Sequence, residues 1–130
     1  MKASVLGVLV GSLVLSSAVF AEDDWQCQGF GYAYSYKSKE LIYSSIQHYR
    51  LPNASYVPSD IEFKNDWKRF LKAHIGSLRT KGFSATVVQN CSNRGKPKGA
   101  KDDLYKVMEK YSRKGFAKLQ AKNYTYQPED

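Results

Sequence analysis

Histidine and cysteine are scarce in this sequence, two of each in 130 residues. His48 and His74 stand far apart, and no CxxC or Cys/His spacing surrounds Cys27 or Cys91, so a metal site built on them is short of ligands. There is no Ser nucleophile elbow, HExxH, Walker A or dinucleotide fingerprint. The run Arg94-Gly95-Lys96-Pro97-Lys98-Gly99-Ala100-Lys101 lacks the Gly-Lys-Ser/Thr ending of a phosphate-cradling loop. No internal repeat or low-complexity tract occurs. A composition of 42% hydrophobic, 14% aromatic and 25% charged residues supplies one core and excludes disorder, collagen and a coiled coil. Beyond the first segment, no apolar stretch approaches the ~20 residues that a bilayer crossing needs.

That first segment has the order of an export signal. Met1-Lys2 is followed by an uncharged, mostly apolar run from Ala3 to Leu15, then Val19-Phe20-Ala21 and acidic Glu22-Asp23-Asp24. We expect a signal peptide over residues 1–21, cut after Ala21, and a single periplasmic or secreted domain over 22–130. Cys27 follows Asp24-Trp25-Gln26, which argues against a lipoprotein. In an oxidising compartment the even cysteine count predicts a Cys27–Cys91 disulfide, with a metal ligand or reactive thiol as the rival reading. Closing so long a loop restricts the unfolded chain by roughly 4 kcal/mol.

Along the mature chain, Trp25 to Tyr36 alternates and places Tyr32, Tyr34 and Tyr36 on one strand face, with Gly29 and Gly31 as markers of a bulge. Lys37-Ser38-Lys39 breaks the run into a hairpin, and Leu41 to Tyr49 reads as a second strand. Residues 50–58 form a loop. Ser59-Asp60-Ile61-Glu62 has the form of a capping box. The helix it opens carries Phe63, Trp67, Phe70, Leu71, His74 and Leu78 at helical spacing, with Gly76 inside it and Gly82 at its C-terminal cap. Phe83 to Cys91 reads as a strand. A second helix has Asp102 and Asp103 at its positive end, the apolar set Leu104, Val107, Met108 and Tyr111, and Lys110, Arg113 and Lys114 at its negative end, before Gly115. Phe116 to Tyr126 reads as a last strand. The order β-β-α-β-α-β predicts an α+β fold: a small two-layer sandwich of a mainly antiparallel sheet and two helices, with one disulfide.

Cys27 in an N-terminal strand, the segment Ile42-Tyr43-Ser44-Ser45-Ile46, Trp67-x-x-Phe70-Leu71, then Cys91 and a basic helix together resemble a type of small, secreted, two-cysteine bacterial domain of unassigned activity. The resemblance implies export, a disulfide and a small α/β fold. It brings neither a catalytic residue nor a ligand.

The charge balance is the main functional signal: 20 Lys+Arg against 12 Asp+Glu, a formal net charge of +8. Lys64, Lys68 and Lys72 follow one another at i, i+4 with Arg69 beside them, and Lys106, Lys110 and Lys114 repeat the theme. Like charges at that spacing weaken a helix slightly, so they do not serve helix stability. If both helices cover the same sheet face, these rows merge with Arg94, Lys96 and Lys98 into one positive field. Its partner is then anionic: lipopolysaccharide, another envelope lipid, a polysaccharide, an acidic protein or nucleic acid. The alternative is a solvated, solubilising surface. A nucleic-acid reading places stacked bases on Tyr32, Tyr34, Tyr36 and Tyr43 beside Lys37 and Lys39, against half-buried sheet packing of the same tyrosines. An inhibitor or immunity-type module binding a protein partner through the Tyr-rich hairpin is a further reading. So is a ribonuclease-like hydrolase using His48 and His74 as acid and base, although His74 falls on the apolar stripe. Glu40 and Glu62 make a poor glycosidase pair, because Glu62 has a part in the capping box. The sequence implies no cofactor. Asn53, Asn90 and Asn123 head formal glycosylation sequons, which matter only in a eukaryotic pathway, whereas the Met-Lys start reads as bacterial.

Overall fold

In the computed structural model the described residues are 24–52, 59–76 and 82–128. The expected signal peptide, Leu78 and the Asn53 sequon lie outside them. The alternating segment becomes β1, Trp25–Ser35, the central strand. Its two rows differ in size. Gly29, Gly31 and Ala33 turn to one face, while Phe30, Tyr32 and Tyr34 turn to the other.

The segment read as one strand is two. Beside β1 run β2, Glu40–Ser44, paired from Ser35↔Glu40 to Tyr32↔Tyr43, and β3, Gln47–Leu51, paired from Gly29↔Gln47 to Trp25↔Leu51. Between these registers Phe30 and Gly31 oppose Ser44, Ser45 and Ile46, so one extra residue bulges out of the second strand. The bulge therefore lies opposite the glycines, not at them. Ser44, fully buried, closes it: its Oγ accepts from the Gly31 N–H at 2.9 Å and donates to the Ser45 carbonyl at 2.8 Å.

β4, Ser84–Ser92, pairs antiparallel with β1 from Tyr34↔Ser84 to Gln26↔Ser92. A strand has two edges, so β4 takes the one that β2 and β3 leave. β5, Ala117–Ala121, lies parallel to β2. It is shorter than expected, and Tyr124 and Tyr126 continue as irregular backbone that is nonetheless buried. Cys27 and Cys91 are direct partners across β1 and β4, with Cα atoms 4.1 Å apart and sulfurs bonded.

α1, Ile61–His74, packs on the small row through Phe63, Trp67 and Leu71. A Cβ at Gly31 would lie 2.5 Å from the Trp67 ring, so Gly31 admits the helix; one at Gly29 would lie 2.2 Å from the Val88 carbonyl oxygen of β4 and 3.1 Å from Phe63, so Gly29 first of all admits the neighbouring strand. The Trp67 Nε1–H donates to the Tyr32 carbonyl at 3.1 Å. Over the same core lie Tyr124 and Tyr126, tied down by Gln47, whose Nε2 donates to the Tyr124 carbonyl and whose Oε1 accepts from the Tyr126 N–H. The capping box does not form. Asp60 is the N-cap without a side-chain bond, and Ser59 Oγ instead accepts from the Ile61 N–H at 3.2 Å. Gly76, at φ +95°, follows the last turn, so α1 ends there and not at Gly82.

α2, Ala100–Arg113, stops just before Gly115, as expected, and covers the large row: Tyr34 stacks on Tyr111 at 5.3 Å, and Leu41, Tyr111 and Phe116 form a second core cluster. The fold is α+β, with two helices, one mostly antiparallel sheet of five strands and one disulfide. Its layering differs from a two-layer sandwich. Adjacent residues of β1 point to opposite faces, and each face carries its own helix.

Candidate anion-binding surface

The loop after β4 is braced by Ser92, whose Oγ accepts from the Arg94 N–H and donates to the Arg94 carbonyl, both at 3.2 Å. Arg94, Lys96, Pro97 and Lys98 then form one wall of an open groove of about 660 Å³. Among the described residues Trp25 and the end of β4, Gln89 to Ser92, form the rest, and none that lines it is a carboxylate. Two described acids next to lining residues, Asp24 before Trp25 and Asp103 beside Asn90, are already paired. Asp24 pairs with Arg50 at 3.2 Å, and Asp103 accepts from Asn90 Nδ2 at 3.2 Å. The Trp25 Nε1–H is buried and has no acceptor among the described residues. Arg94, Lys96 and Lys98 are exposed at the tips where charge reaches a ligand.

On α1, Lys68 and Lys72 are exposed and line a second groove, of about 360 Å³, with Leu71, Phe83, Ser84 and Ala85. Lys64 is half-buried one turn earlier on the same stripe. Arg69 is turned aside to Asp66 at 3.4 Å. The two grooves thus sit at the two ends of β4, at Ser84–Ala85 and at Gln89–Ser92.

The single positive field expected across both helices is not present, because its premise of a shared sheet face fails. Lys106 and Lys110 belong to α2, on the far side of the sheet from α1. Lys110 lies over the Tyr111 ring at 5.4 Å, and Lys114 Nζ donates to Tyr36 Oη at 2.9 Å. Of the expected tyrosine platform, Tyr32 and Tyr34 are packed under α2 and only Tyr36 is largely exposed. The Lys114 hydrogen bond pulls the Tyr36 hydroxyl below its usual range. Burial pushes Tyr111 up to about 12, aided by Tyr36, Tyr34 and Tyr32.

The histidines do not form a catalytic pair. His48 pairs with Gln28, whose Oε1 accepts from the Ala100 N–H of α2 at 3.0 Å, which places His48 on the α2 face. His74 ends α1 on the other face. It is exposed and not packed into the apolar stripe, its ring stacks on Phe70 at 4.3 Å, and its Nδ1 lies 3.2 Å from the Phe70 carbonyl. Among the described residues no group of three His, Cys, Asp or Glu is placed to hold a metal ion, and no helix is long and apolar enough to cross a membrane.

Sequence reasoning missed Trp25, reading it only as the start of a strand. The signal was the disulfide: pairing Cys27 with Cys91 brings the residue two before the first cysteine against the loop that follows the second. No family model, curated protein or solved structure matches the chain.

Proposed function

We propose that this chain is an exported, non-enzymatic binding protein that takes an anionic partner in the groove between Trp25 and the Arg94–Lys98 loop, with Lys64, Lys68 and Lys72 extending the attraction. The observation that carries the reading is the meeting of three exposed cations and an indole around an open groove with no carboxylate among the described residues of its wall. A charged cleft of one sign concentrates ions of the other, and its low-dielectric aromatic wall lengthens the reach of that field. An envelope lipid headgroup, an acidic polysaccharide and an acidic protein share the required chemistry. Export rests on the N-terminal order read above, and the disulfide is compatible with an oxidising compartment.

A fluorescence titration of the protein with a heparin octasaccharide tests this reading, because Trp25 sits in the groove wall. The expected result is saturable binding that weakens about tenfold or more between about 50 and about 200 mM salt. Binding should also be at least tenfold weaker in the Arg94→Ala/Lys96→Ala/Lys98→Ala variant. Equal affinity in that variant, or indifference to salt, contradicts the proposal.

A further inference from the structure

β4 is an edge strand with an unusual guard. Among the described residues it pairs with β1 alone. Its nine residues, Ser84–Ser92, hold no proline and no charge, the devices that ordinarily keep an open edge from recruiting another strand. Cations stand at its ends instead: Lys68 and Lys72 beside Ser84 and Ala85, and Arg94, Lys96 and Lys98 beside Gln89 to Ser92.

The direction of its free peptide groups follows from one hydrogen bond. The Gly31 N–H points to Ser44 in β2, so odd-numbered residues of β1 address β2 and β3, and even-numbered residues address β4. Tyr32↔Thr86, Phe30↔Val88 and Gln28↔Asn90 are then the hydrogen-bonded pairs. Ala85, Val87, Gln89 and Cys91 turn their N–H and C=O groups outward. The short Cα separation at Cys27↔Cys91 fits a pair that exchanges no backbone bonds.

We infer that the anionic partner of this chain is an extended acidic segment of another protein, which adds to the sheet as a strand along β4. The inference rests on the anion-binding reading above and deepens it. Main-chain bonds to the outward groups of Ala85 to Cys91 supply the pairing. One row of partner side chains falls on the α1 side beside Lys68 and Lys72, and the end of the segment reaches the Arg94–Lys98 loop. A second copy of this chain fits poorly on the same edge, because two β4 strands side by side bring like-charged α1 stripes and loops together. A polysaccharide answers the charge and leaves the row of outward peptide groups without partners.

The test uses a capped decapeptide of alternating glutamate and valine, together with two derivatives N-methylated at all the glutamates or at all the valines, each titrated into the oxidised protein. All three carry the same charge, but in a strand alternate amides face one edge. The expected result is that one N-methylated form binds at least tenfold more weakly than the parent while the other does not. Peptide binding should also slow hydrogen exchange at Ala85, Val87, Gln89 and Cys91, and Lys68→Ala/Lys72→Ala should weaken it several-fold. Three peptides of equal affinity, unchanged exchange at those amides, or a dimer joined through β4 in sedimentation overturns strand addition. Heparin binding that persists when the peptide fails overturns strand addition alone. Failure of both ligands overturns the anion-binding reading beneath it.

Discussion

Gly31 lacks a side chain because Trp67 occupies the space. A Cβ there meets three atoms of the indole within 2.7 Å, and none of them belongs to a flexible chain end. Gly31→Ala is therefore expected to cost about 1–3 kcal/mol, the usual range for overpacking a tight core, in urea denaturation followed by the buried Trp67. An unchanged midpoint contradicts the close contact. A second residue-scale expectation concerns Tyr36 and Tyr111, two hydroxyls of one aromatic cluster pushed in opposite directions. The Lys114 ammonium holds the Tyr36 phenolate in favour, while burial holds Tyr111 neutral up to about 12. In a titration of phenolate absorbance Tyr36 ionises before Tyr111, and Lys114→Met moves Tyr36 later. Loss of the earliest phase in Tyr36→Phe identifies it.

At the scale of elements, the bulge between β2 and β3 depends on one hydroxyl. Ser44→Ala leaves the buried Gly31 N–H without an acceptor, which is expected to cost about 1–3 kcal/mol and to speed hydrogen exchange at that amide. A silent substitution contradicts the role given to Ser44. This element also shows what sequence reading reaches. The alternation of β1, the apolar stripes of both helices and the β-rich Ser84–Ser92 segment were legible because local periodicity encodes them. The split at Ser44–Ile46 was not, since an extra residue exists only relative to the partner strand. β5 was overextended for a related reason. Its ladder with β2 ends at Ser44↔Ala121, where the bulge begins, while Tyr124 and Tyr126 alternate because both enter the α1 core. For the end of α1, two glycines were available, and the left-handed one nearer the helix, Gly76, terminates it.

For the whole molecule, net charge and the cysteine count gave the basic surface and the covalent link between β1 and β4, but a helical stripe does not say which sheet face it covers. That missing fact divides the lysines: Lys64, Lys68 and Lys72 lie with α1 on one side of the sheet and Lys106 and Lys110 with α2 on the other, while the Arg94–Lys98 loop stands at the end of β4 that leads into α2. Removing the disulfide, whose cysteines are 64 positions apart, is expected to destabilise the fold by about 4 kcal/mol, measured as the denaturant midpoint of Cys27→Ala/Cys91→Ala. The denaturant midpoint is also expected to fall in alkali. Burial raises Tyr32, Tyr49, Tyr111 and Tyr124, the last also through the Asp66 carboxylate that accepts its hydroxyl at 2.7 Å. An unfolded tyrosine ionises near pH ~10, so the unfolded state releases protons first. The contribution is complete below that value and is lost as pH rises through about 12 for Tyr111.

Whether the groove or the basic surface as a whole attracts the ligand is tested most directly by removing the same charge from the loop and from α2. Lys96→Ala/Lys98→Ala and Lys106→Ala/Lys110→Ala lower the net charge equally, so heparin affinity at fixed salt separates a site from a general attraction. The groove account predicts a loss of at least tenfold in the first variant and less than twofold in the second. Equal losses in the two contradict it.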